Sequence, residues 1–586
     1  MIGAATWVHR IAGVAAACAA PLLWTWATVD GADPFELWLV PAATVLLLFL
    51  WSRSLSRRRH TRGVTLAVAL LLAIVALAYP RPGPPREGTR VLVVGVDGGS
   101  WDLIDPLLEQ GRMPELARRM TGAARTDLRS LPSMFSPQVW NTIATGYRPE
   151  VHGIWDFAGV QNDLQAGRIW DQLRLEGRSF GLFGWYCTWP PEPGDPEHDF
   201  IVPDIMAPDS LAYPPAYSVF WQLWRAESPH GDRRTQFLRM GLTAWRCGLR
   251  LSTLRRAVTD VLERKLRGVP RREIVWKGKV LSVLIQADLC AELLRLRRPE
   301  FCSVLFVQTD RVSHKFWKFF QPEEFPNVTP EQQARYGDVI NICHEAVDEA
   351  LARLMGVVPE DVNLMIVSDH GFQPSISQVK AAECRIRTEN LIAELGLEND
   401  VFGTNLDQKV FLRSLGEEPA ERERRLSRIG EILAEARLVK EEQPFFEVSR
   451  SGEMLVVTVA PRNAVPERAH IMVDGREIYL EELVRLRPSA INSGEHHPDG
   501  IFVLAGPAAA DAPAADSLHV LDVAPTLAAI LDLPVGPDWA GSSLVPRPPA
   551  ARSDVAAYPL PAKFATDEPV MDEQKRELLR SIGYLE

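Results

Sequence analysis

Three apolar segments of the sequence each run into an aspartate, and two of these aspartates have a histidine close behind them. The residues are Asp97 after Val91–Val96, Asp310 and His314 after Ser303–Val307, and Asp369 and His370 after Leu364–Val367. The segments have the length and the aliphatic content of buried strands. In an open parallel α/β sheet, ligand and catalytic groups collect outside the carboxyl ends of the strands. We therefore expect these polar side chains to converge, although they lie far apart in sequence.

A serine stands at the start of a predicted helix in the stretch LPSMFSPQVWNTIATGY. Ser136 precedes Pro137, a residue that suits the first turn of a helix, and the pattern predicts a helix that runs to Gly146. Ser136 is then either an ordinary N-cap or a hydroxyl held in the positive end of the helix. The second interpretation gives a site for an anion, either an ionised serine or a phosphate oxygen.

Two adjacent histidines, His496 and His497, lie in the Gly- and Pro-containing stretch INSGEHHPDGIFVLAGP. Converging carboxylates need a cation, and His is the commonest ligand of zinc. Asp310 and His314 are four residues apart, so one face of a helical turn can present both to one ion. The candidate site residues are Asp97, Ser136, Asp310, His314, Asp369, His370 and His496. This mixture of nitrogen and oxygen ligands favours zinc or another divalent transition metal over calcium.

The chain is long enough for one large core with insertions, and its charge is unevenly distributed. It has 586 residues, 46% of them hydrophobic, and a net charge of −11. The first 87 residues contain eight Arg, no Lys and four acidic residues, so they carry +4 and the rest of the chain carries −15. This acidic balance argues against a nucleic-acid-binding protein.

Three uncharged apolar runs in the N-terminal part predict membrane-spanning helices. They are Ile11–Val29, Leu37–Ser52 and Gly63–Pro80, each near the ~20 residues that cross a bilayer. Five Arg lie between the second and third runs, whereas the loop after the first run carries only acidic charges. The Arg-rich loop is therefore expected in the cytoplasm, and the third helix exports the remainder of the chain. The alternative is a signal peptide followed by a buried hairpin.

In this order, the motifs resemble the alkaline phosphatase superfamily, most closely its type I phosphodiesterase and nucleotide pyrophosphatase branch. The matching blocks are GVDGGSWD, SPQVWNTIATGYRPEVHGI, TDRVSHKFW, SDHGF, and SGEHHPDGIFVLAGP with LDVAPTLAAILDLPV. They span about residues 91 to 546. The resemblance implies an α/β fold with a central, mostly parallel sheet, helices on both faces and an inserted cap, here preceded by the N-terminal transmembrane helices.

The resemblance also implies two metal ions and a serine nucleophile. One ion would be held by Asp310, His314 and His496, and the other by Asp97, Asp369 and His370 with Ser136. The two divalent ions, zinc or alternatively manganese, would activate Ser136 for attack on phosphorus. The product is a phosphoserine that water then hydrolyses. His497 is left as a neighbour of the site.

Two positions depart from the pattern of the nucleotide pyrophosphatases. The nucleophile, commonly Thr in that branch, is Ser136, which keeps the hydroxyl. An Asn three residues later helps to bind a phosphoryl oxygen in those enzymes, and this position is Val139 here, so the resemblance does not establish nucleotide specificity. Asn141 is a possible substitute, but on a helix it points away from Val139. Sulfatases share the fold, yet their x-Pro-x-Arg sequence does not follow Ser136.

The sequence thus predicts a membrane anchor at residues 1–80, a linker at 81–90, a catalytic domain at 91–546 and a C-terminal tail at 547–586. The catalytic domain contains a helical insertion at about 215–300, rich in Trp and Arg, which either rests on anionic lipid or packs on the sheet. A second insertion, at about 373–492, is expected from the resemblance to be a cap that shapes substrate choice.

We expect a phosphoesterase, most directly a phosphodiesterase, that is a multi-pass protein of the cell membrane with its catalytic domain on the extracytoplasmic side. Its partners are then a phosphate ester substrate and the lipid bilayer, and not nucleic acid. One alternative is a phosphotransferase that moves a lipid headgroup phosphate to a glycan or lipid acceptor. The other is a catalytically dead, membrane-bound binding protein, against which the presence of all seven candidate residues argues.

Overall fold

The structure is a computed structural model of the chain, and it describes residues 88–546 apart from 158, 226–232, 326–327, 376–383, 407–408, 417, 440, 461–468, 487–492 and 537. The predicted membrane anchor, most of the predicted linker and the predicted C-terminal tail lie outside the described residues. Among the helices that are described, none has both the length and the apolar character needed to cross a bilayer.

The strands of the described chain are numbered in chain order. They are β1 (Val91–Val96), β2 (Ala124–Arg129), β3 (Phe180–Phe183), β4 (Phe200–Val202), β5 (Phe301–Phe306), β6 (Asn363–Val367), β7 (Gly371–Pro374), β8 (Cys384–Ile386), β9 (Val401–Leu406), β10 (Lys409–Ser414), β11 (Arg437–Leu438), β12 (Phe446–Ser451), β13 (Met454–Val459), β14 (His470–Val473), β15 (Arg476–Tyr479), β16 (Val484–Leu486), β17 (Gly494–His497), β18 (Asp499–Ala505) and β19 (Ser517–His519).

The α-helices are numbered in the same way. They are α1 (Trp101–Glu109), α2 (Pro114–Arg119), α3 (Ser136–Thr145), α4 (Pro149–His152), α5 (Ile169–Leu175), α6 (Val219–Arg225), α7 (Arg233–Arg246), α8 (Leu251–Arg267), α9 (Arg271–Arg297), α10 (Gln308–Phe320), α11 (Pro330–Tyr336), α12 (Val339–Met355), α13 (Thr388–Glu394), α14 (Pro419–Glu435), α15 (Leu480–Leu483) and α16 (Val523–Ile530).

Eight strands form a central sheet in the order β19, β2, β18, β6, β1, β5, β3, β4. Strand β18 runs antiparallel to its neighbours β2 and β6, and the other neighbouring pairs of this sheet are parallel. The sheet confirms the predicted α/β fold with a mostly parallel centre. Strand β1 is buried at every position, which explains its continuous apolar run, since a sheet covered on both faces has no solvent-facing residues.

The register of the three central strands places their carboxyl ends side by side. Val96 of β1 lies opposite Phe306 of β5, and Gly95 lies opposite Val367 of β6, in both cases in parallel pairing. Each of these strands is followed within a few residues by an aspartate. The three apolar segments recognised in the sequence are therefore direct neighbours, with their polar residues at one edge of the sheet.

The apolar spacing of Leu103, Leu107 and Leu108 predicts a single helix from about Asp102 to Met120, and this prediction is wrong. The segment forms two helices, α1 and α2. Gly111, between them, has a left-handed backbone with φ of 67°, which ends the first helix, and Pro114 begins the second. The apolar periodicity continued across the break, and the glycine and the proline were the signals against it.

The chain between β7 and β17 builds a separate lobe, which we call the cap. The cap contains a four-stranded sheet in the order β12, β13, β10, β9 and a three-stranded sheet in the order β11, β14, β15. Strands β8 and β16, at which the chain enters and leaves the lobe, pair antiparallel with each other. The cap has its own apolar core, which runs from Ile386 to Val484.

Alternation along two cap strands divides their side chains between two cores. Val410 and Leu412 of β10 belong to the core of the cap, whereas Phe411 belongs to the core of the catalytic domain. The same alternation along β13 gives Met454 and Val456 to the catalytic domain. Phe411 also contacts Phe135, the residue before Ser136, at a ring-centroid distance of 6.0 Å. The cap sheet is therefore packed directly beside the start of α3.

The predicted helical insertion is helical, and its elements are α6 to α9. The C-terminal part of α9 is packed along α12 and buries Val283, Leu284 and Ala287. This packing fits the interpretation of the insertion as an element laid against the catalytic domain. Helix α8 differs from its neighbours, because most of its apolar side chains are exposed.

Candidate metal centre

The polar residues at the carboxyl edge of the sheet are positioned by three different local structures. Asp97 directly follows β1, and Asp369 and His370 follow β6 in the turn before β7. Asp310 and His314 lie one turn apart on α10, which begins two residues after β5. The structure thus brings together the five predicted residues that follow the three strands.

Three side chains meet at one point beside α10. The Nε2 atoms of His314 and His496 are 3.0 Å apart, and the Oδ1 atom of Asp310 lies 3.1 Å from the first and 3.2 Å from the second. All three residues are buried. We call Asp310, His314 and His496 the first trio.

Backbone carbonyls set the tautomers of the first trio. The Nδ1 atom of His314 lies 2.9 Å from the carbonyl oxygen of Gly494, and that of His496 lies 2.9 Å from the carbonyl oxygen of Met134. A carbonyl only accepts, so Nδ1 of each ring carries the proton and donates it. Two Nε2 lone pairs then face each other, which is repulsive unless a cation lies between them.

The second trio is Asp97, Asp369 and His370, and it has ligand atoms without hydrogen-bond partners. The Nε2 atom of His370 lies 3.5 Å from Asp97 and 3.3 Å from Asp369. Within the described residues, this Nε2 atom, Oδ1 of Asp97 and Oδ2 of Asp369 are buried and accept no hydrogen bond. The proton of His370 is again on Nδ1, which donates to the carbonyl of Gly371 over 3.0 Å. Burial of polar atoms without hydrogen-bond partners costs free energy. A cation bound by all three atoms would remove this cost.

The two trios are joined by ring stacking. His370 and His496 stack with their centroids 3.5 Å apart. Strand β17 carries His496 to this position, since it pairs antiparallel with β7 and places His496 opposite Phe372. The ring of Phe372 contacts His314 edge-on at 4.9 Å. His497, which follows His496 in the sequence, lies on the opposite side of β17. It is partly exposed and belongs to neither trio.

Ser136 is buried beside the second trio at the amino end of α3. It is the first residue of the helix, and Phe135 occupies the N-cap position, so the N-cap interpretation of Ser136 is corrected by one residue. Its hydroxyl donates a hydrogen bond to Asp369. The hydroxyl therefore lies next to a candidate metal ligand and at the positive end of a ten-residue helix.

The carboxylates of the site have strongly shifted pKa values. Burial and then the charge of Asp310 raise the pKa of Asp369 to about 8. Burial, followed by the charges of Asp369 and Asp310, raises the pKa of Asp97 well above its ordinary value. For Asp310 burial acts in the same direction, but the interactions with His314 and His496 together outweigh it and hold the pKa of Asp310 well below its ordinary value. Crowded acids of this kind are typical of a site that holds cations.

Trp140 is a residue of the site that the sequence analysis did not single out. Its indole Nε1 donates to Oδ2 of Asp97 over 3.2 Å, which leaves Oδ1 for another partner. In the sequence it looked like one of the apolar residues of α3, and nothing in its spacing distinguishes it. Gly98 was also missed, although its positive φ of 72° and a Cβ position 2.5 Å from Phe372 leave room for glycine alone.

Asn141 does not take the role of the missing Asn at position 139. Its Nδ2 atom donates to the carbonyl of Pro137 over 2.7 Å and contacts the sulfur of Cys187 at 3.4 Å. The amide is thereby directed at its own helix and at a buried thiol. Position 139 itself is a fully buried valine. The sequence around His152 resembles an element that is structural in relatives, and His152 is buried and contacts the hydroxyl of Thr142 at 3.2 Å.

A mostly parallel sheet with aspartates at the ends of its central strands and a serine at a nearby helix start is the arrangement of the alkaline phosphatase superfamily. The family model of the type I phosphodiesterases and nucleotide pyrophosphatases matches residues 91–478, about two thirds of the chain, and the chain belongs to this family. It is therefore a metal-dependent hydrolase that acts on phosphoric ester bonds. The family identified from the sequence motifs is confirmed.

Two further comparisons, with curated proteins and with solved structures, add no evidence on the function of this chain. No curated protein matches the chain. Among solved structures, the chain is similar to the phosphonoacetate hydrolase of Sinorhizobium meliloti 1021, crystallised with phosphonoformate, at 16% identity and a TM-score of 0.40. The similarity covers 75% of this chain and 95% of the hydrolase. Nothing about the activity of this chain follows from a likeness of that degree.

Proposed function

We propose that this protein is a membrane-anchored phosphodiesterase that uses Ser136 as its nucleophile and two divalent metal ions, zinc or alternatively manganese. The observation that carries the proposal is the pair of adjacent buried trios beside the Ser136 hydroxyl. The first trio would hold one ion, and the second trio together with Ser136 would hold the other. The facing Nε2 atoms of the first trio and the unpartnered atoms of the second fit such ions.

Divalent ions bound at this site would lower the pKa of the serine hydroxyl and neutralise the negative charge of the phosphoryl oxygens. The residues of the chain do the remaining work. Asp369 orients the Ser136 hydroxyl through its hydrogen bond, and the free N–H groups at the start of α3 bind an anionic phosphoryl oxygen. Oγ of Ser136 attacks phosphorus, the bond from phosphorus to the leaving oxygen breaks, and a phosphoserine forms. Water then attacks the phosphoserine, and the bond from phosphorus to Oγ breaks.

The proposed preference for diesters is based on the family. The cap is proposed to select the alcohol that is esterified to the phosphate. Val139 replaces the Asn that the nucleotide pyrophosphatases use for a phosphoryl oxygen, and the amide of Asn141 is engaged elsewhere. A nucleotide is therefore not the proposed substrate. The cap reaches the start of α3 through Phe411, and this contact supports the proposal that cap residues bind the group esterified to the phosphate.

The proposed location is the cell membrane, with three helices in the first 80 residues and the catalytic domain on the extracytoplasmic side. Support comes from the three apolar runs and from the Arg-rich loop between the second and the third. These residues lie outside the described part of the structure.

The test is hydrolysis of aryl phosphodiester, phosphomonoester and sulfate substrates by the full chain in detergent, after chelation and re-addition of zinc or manganese. We expect metal-dependent hydrolysis, fastest on the diester. Ser136→Ala should abolish it, whereas Ser136→Thr, which keeps a hydroxyl, should retain activity within about tenfold. The matched control is Ser130→Ala, another buried serine, which should be active. Activity in Ser136→Ala equal to that of the control would contradict the assignment of Ser136 as the nucleophile. Faster hydrolysis of the monoester than of the diester would contradict the proposal of a phosphodiesterase.

A further inference from the structure

Helix α8 presents a stripe of apolar side chains to solvent. Val258, Val261 and Leu262 are each about half exposed, and Leu266 is 80% exposed. Their spacing of three, four and eight residues from the first puts them on one face of the helix. Of the α8 side chains that the structure describes, only Thr253 is buried. The stripe is therefore continuous along about the C-terminal half of the helix.

The helix is held firmly at its amino end. Asp288 of α9 accepts hydrogen bonds from the backbone N–H of Arg250 and from the hydroxyl of Thr253, and it pairs with Arg353 of α12 at 2.7 Å. All of these contacts lie at the base of the α8–α9 hairpin. The exposed stripe is thus carried by an anchored element and not by a frayed end.

A lysine ties the two arms of the hairpin together further out. Lys277 of α9 pairs with Glu263 of α8 at 2.6 Å and with Glu273 of its own helix at 3.0 Å. Two acidic side chains near the stripe are thereby engaged with a cation. The hairpin is braced at its base and along its length, so the apolar face keeps its shape without a partner.

Basic residues accompany the apolar stripe. Arg255, Arg264 and Lys265 are exposed, and the sequence of α8 contains five basic and two acidic residues, a balance of +3. The chain after residue 87 carries −15, so this helix is a basic element on an acidic protein. Basic and apolar side chains on one exposed helix are typical of a helix that lies in the headgroup region of an anionic bilayer.

We propose that α8 docks on the surface of an anionic lipid bilayer. Val258, Leu262 and Leu266 enter the boundary between headgroups and acyl chains, and the stems of Arg255 and Lys265 follow them while their charges reach the phosphates. A second copy of this chain fits less well, because a symmetric contact would bring the same cations together in a dry interface. Stable interfaces also bury about 800 Å² on each partner, which four side chains do not supply. The proposal is independent of the reaction and of the catalytic residues.

The experiment places an environment-sensitive fluorophore on Leu266→Cys in the full chain, reconstituted in vesicles of phosphatidylcholine with or without phosphatidylglycerol. The matched control is Leu175→Cys on α5, which replaces another exposed leucine, here about half exposed. The unsubstituted chain, labelled in parallel, gives the contribution of the native cysteines. We expect blue-shifted emission and quenching by lipids with a nitroxide on the acyl chain at position 266 only, and more strongly in the anionic vesicles.

Charge reversal then separates lipid docking from other contacts. Arg264→Glu with Lys265→Glu should shift the equilibrium of position 266 away from the bilayer by roughly tenfold, because each basic side chain contributes to binding at an anionic surface. Equal emission at positions 266 and 175 in every vesicle would overturn the proposal. A blue shift in detergent without lipid that disappears when the chain is diluted would overturn it too, since a second copy would then cover the stripe.

Discussion

The imidazole rings of His370 and His496 stack with their centroids 3.5 Å apart and their planes inclined by 18°. The two residues belong to different trios and are 126 positions apart in the sequence. Each ring donates its Nδ1 proton to a backbone carbonyl, so each offers Nε2 to its own trio. The stack makes the two candidate metal positions mechanically dependent on each other, because a ring that turns in one trio displaces a ligand of the other.

Replacement of His496 by Ala should therefore affect both metal positions. We expect the first ion to be lost and the second to bind at least about tenfold more weakly. The rate of hydrolysis should fall by at least about 100-fold, because even the loss of a residue that only hydrogen-bonds to a metal ligand can cost this much. Metal content per chain by mass spectrometry and kcat on the aryl diester measure the effects. The adjacent His497→Ala is the control and should bind two ions. Two bound ions in His496→Ala would contradict the assignment.

Removal of the indole N–H that donates to Asp97 should selectively weaken metal binding by the second trio. Trp140→Phe keeps a large aromatic ring but removes the Nε1 bond to Oδ2 of Asp97, so the carboxylate is less well oriented. We expect a 10- to 100-fold loss of affinity for one ion, measured by competition with a chelator. Activity should return at high metal concentration.

The control for that change is Trp185→Phe. The Nε1 atom of Trp185 donates to the carbonyl of Trp140 and not to a candidate ligand. Its loss should leave both metal affinities unchanged within about twofold. Equal losses in the two variants would mean that packing, and not the bond to Asp97, determines the affinity.

Binding of metal to the second trio should release protons at neutral pH. Without a cation, burial and neighbouring charges hold the pKa of Asp369 at about 8 and raise that of Asp97, so below pH 8 the trio holds at least one proton. A metal ion requires the carboxylates ionised and displaces that proton. Affinity should therefore rise with pH up to about 8 and level off above it.

Calorimetry in buffers of different ionisation enthalpy counts the released protons. We expect about one proton or more per ion at pH 7 and a smaller number at pH 9. Asp369→Asn is the matched variant, since it is neutral at both pH values and should release fewer protons. A proton count that does not change between pH 7 and pH 9 in the unsubstituted chain would contradict the raised pKa of Asp369.

The contact between the cap and the start of α3 should influence catalysis. Phe411→Leu shortens the side chain that packs on Phe135, next to the nucleophile. A small displacement of Ser136 should lower kcat/KM by roughly tenfold or more, because attack depends on alignment with phosphorus. Phe445→Leu, a fully buried change inside the cap core, should reduce the melting temperature without a comparable effect on kcat/KM. Equal kinetic effects would show that cap stability alone is involved.

The sequence predicts the sheet edge and its polar residues well because their signals are local. Each central strand is a run of mostly buried apolar residues, and an aspartate follows each run within a few residues, so the parallel register of β1, β5 and β6 places the aspartates together. The adjacent pair Asp369 and His370 is unusual enough to be noticed in any single stretch. The family membership follows from the order of these stretches, and the family model confirms it.

Other parts of the site depend on contacts between distant segments, which no local pattern records. The bond from Trp140 to Asp97 and the carbonyls of Met134 and Gly494 that orient two histidines are of this kind. The amphipathic pattern of α8 gave two interpretations in the sequence, because an apolar stripe looks the same whether it is covered or exposed. The fold adds the exposure of Leu266, which the pattern alone does not give.

The pairing of β8 with β16 makes the cap a cassette. The chain leaves the catalytic domain on one strand and returns on its immediate neighbour, so everything from Ile386 to Val484 can change in length or content while the order of the central sheet stays the same. Insertions, deletions or an exchange of the lobe that keep the contact of Phe411 with Phe135 would leave all seven candidate site residues in place, because none of them lies within the lobe. In evolution, and in protein engineering, the lobe can thus change separately from the residues of the two trios.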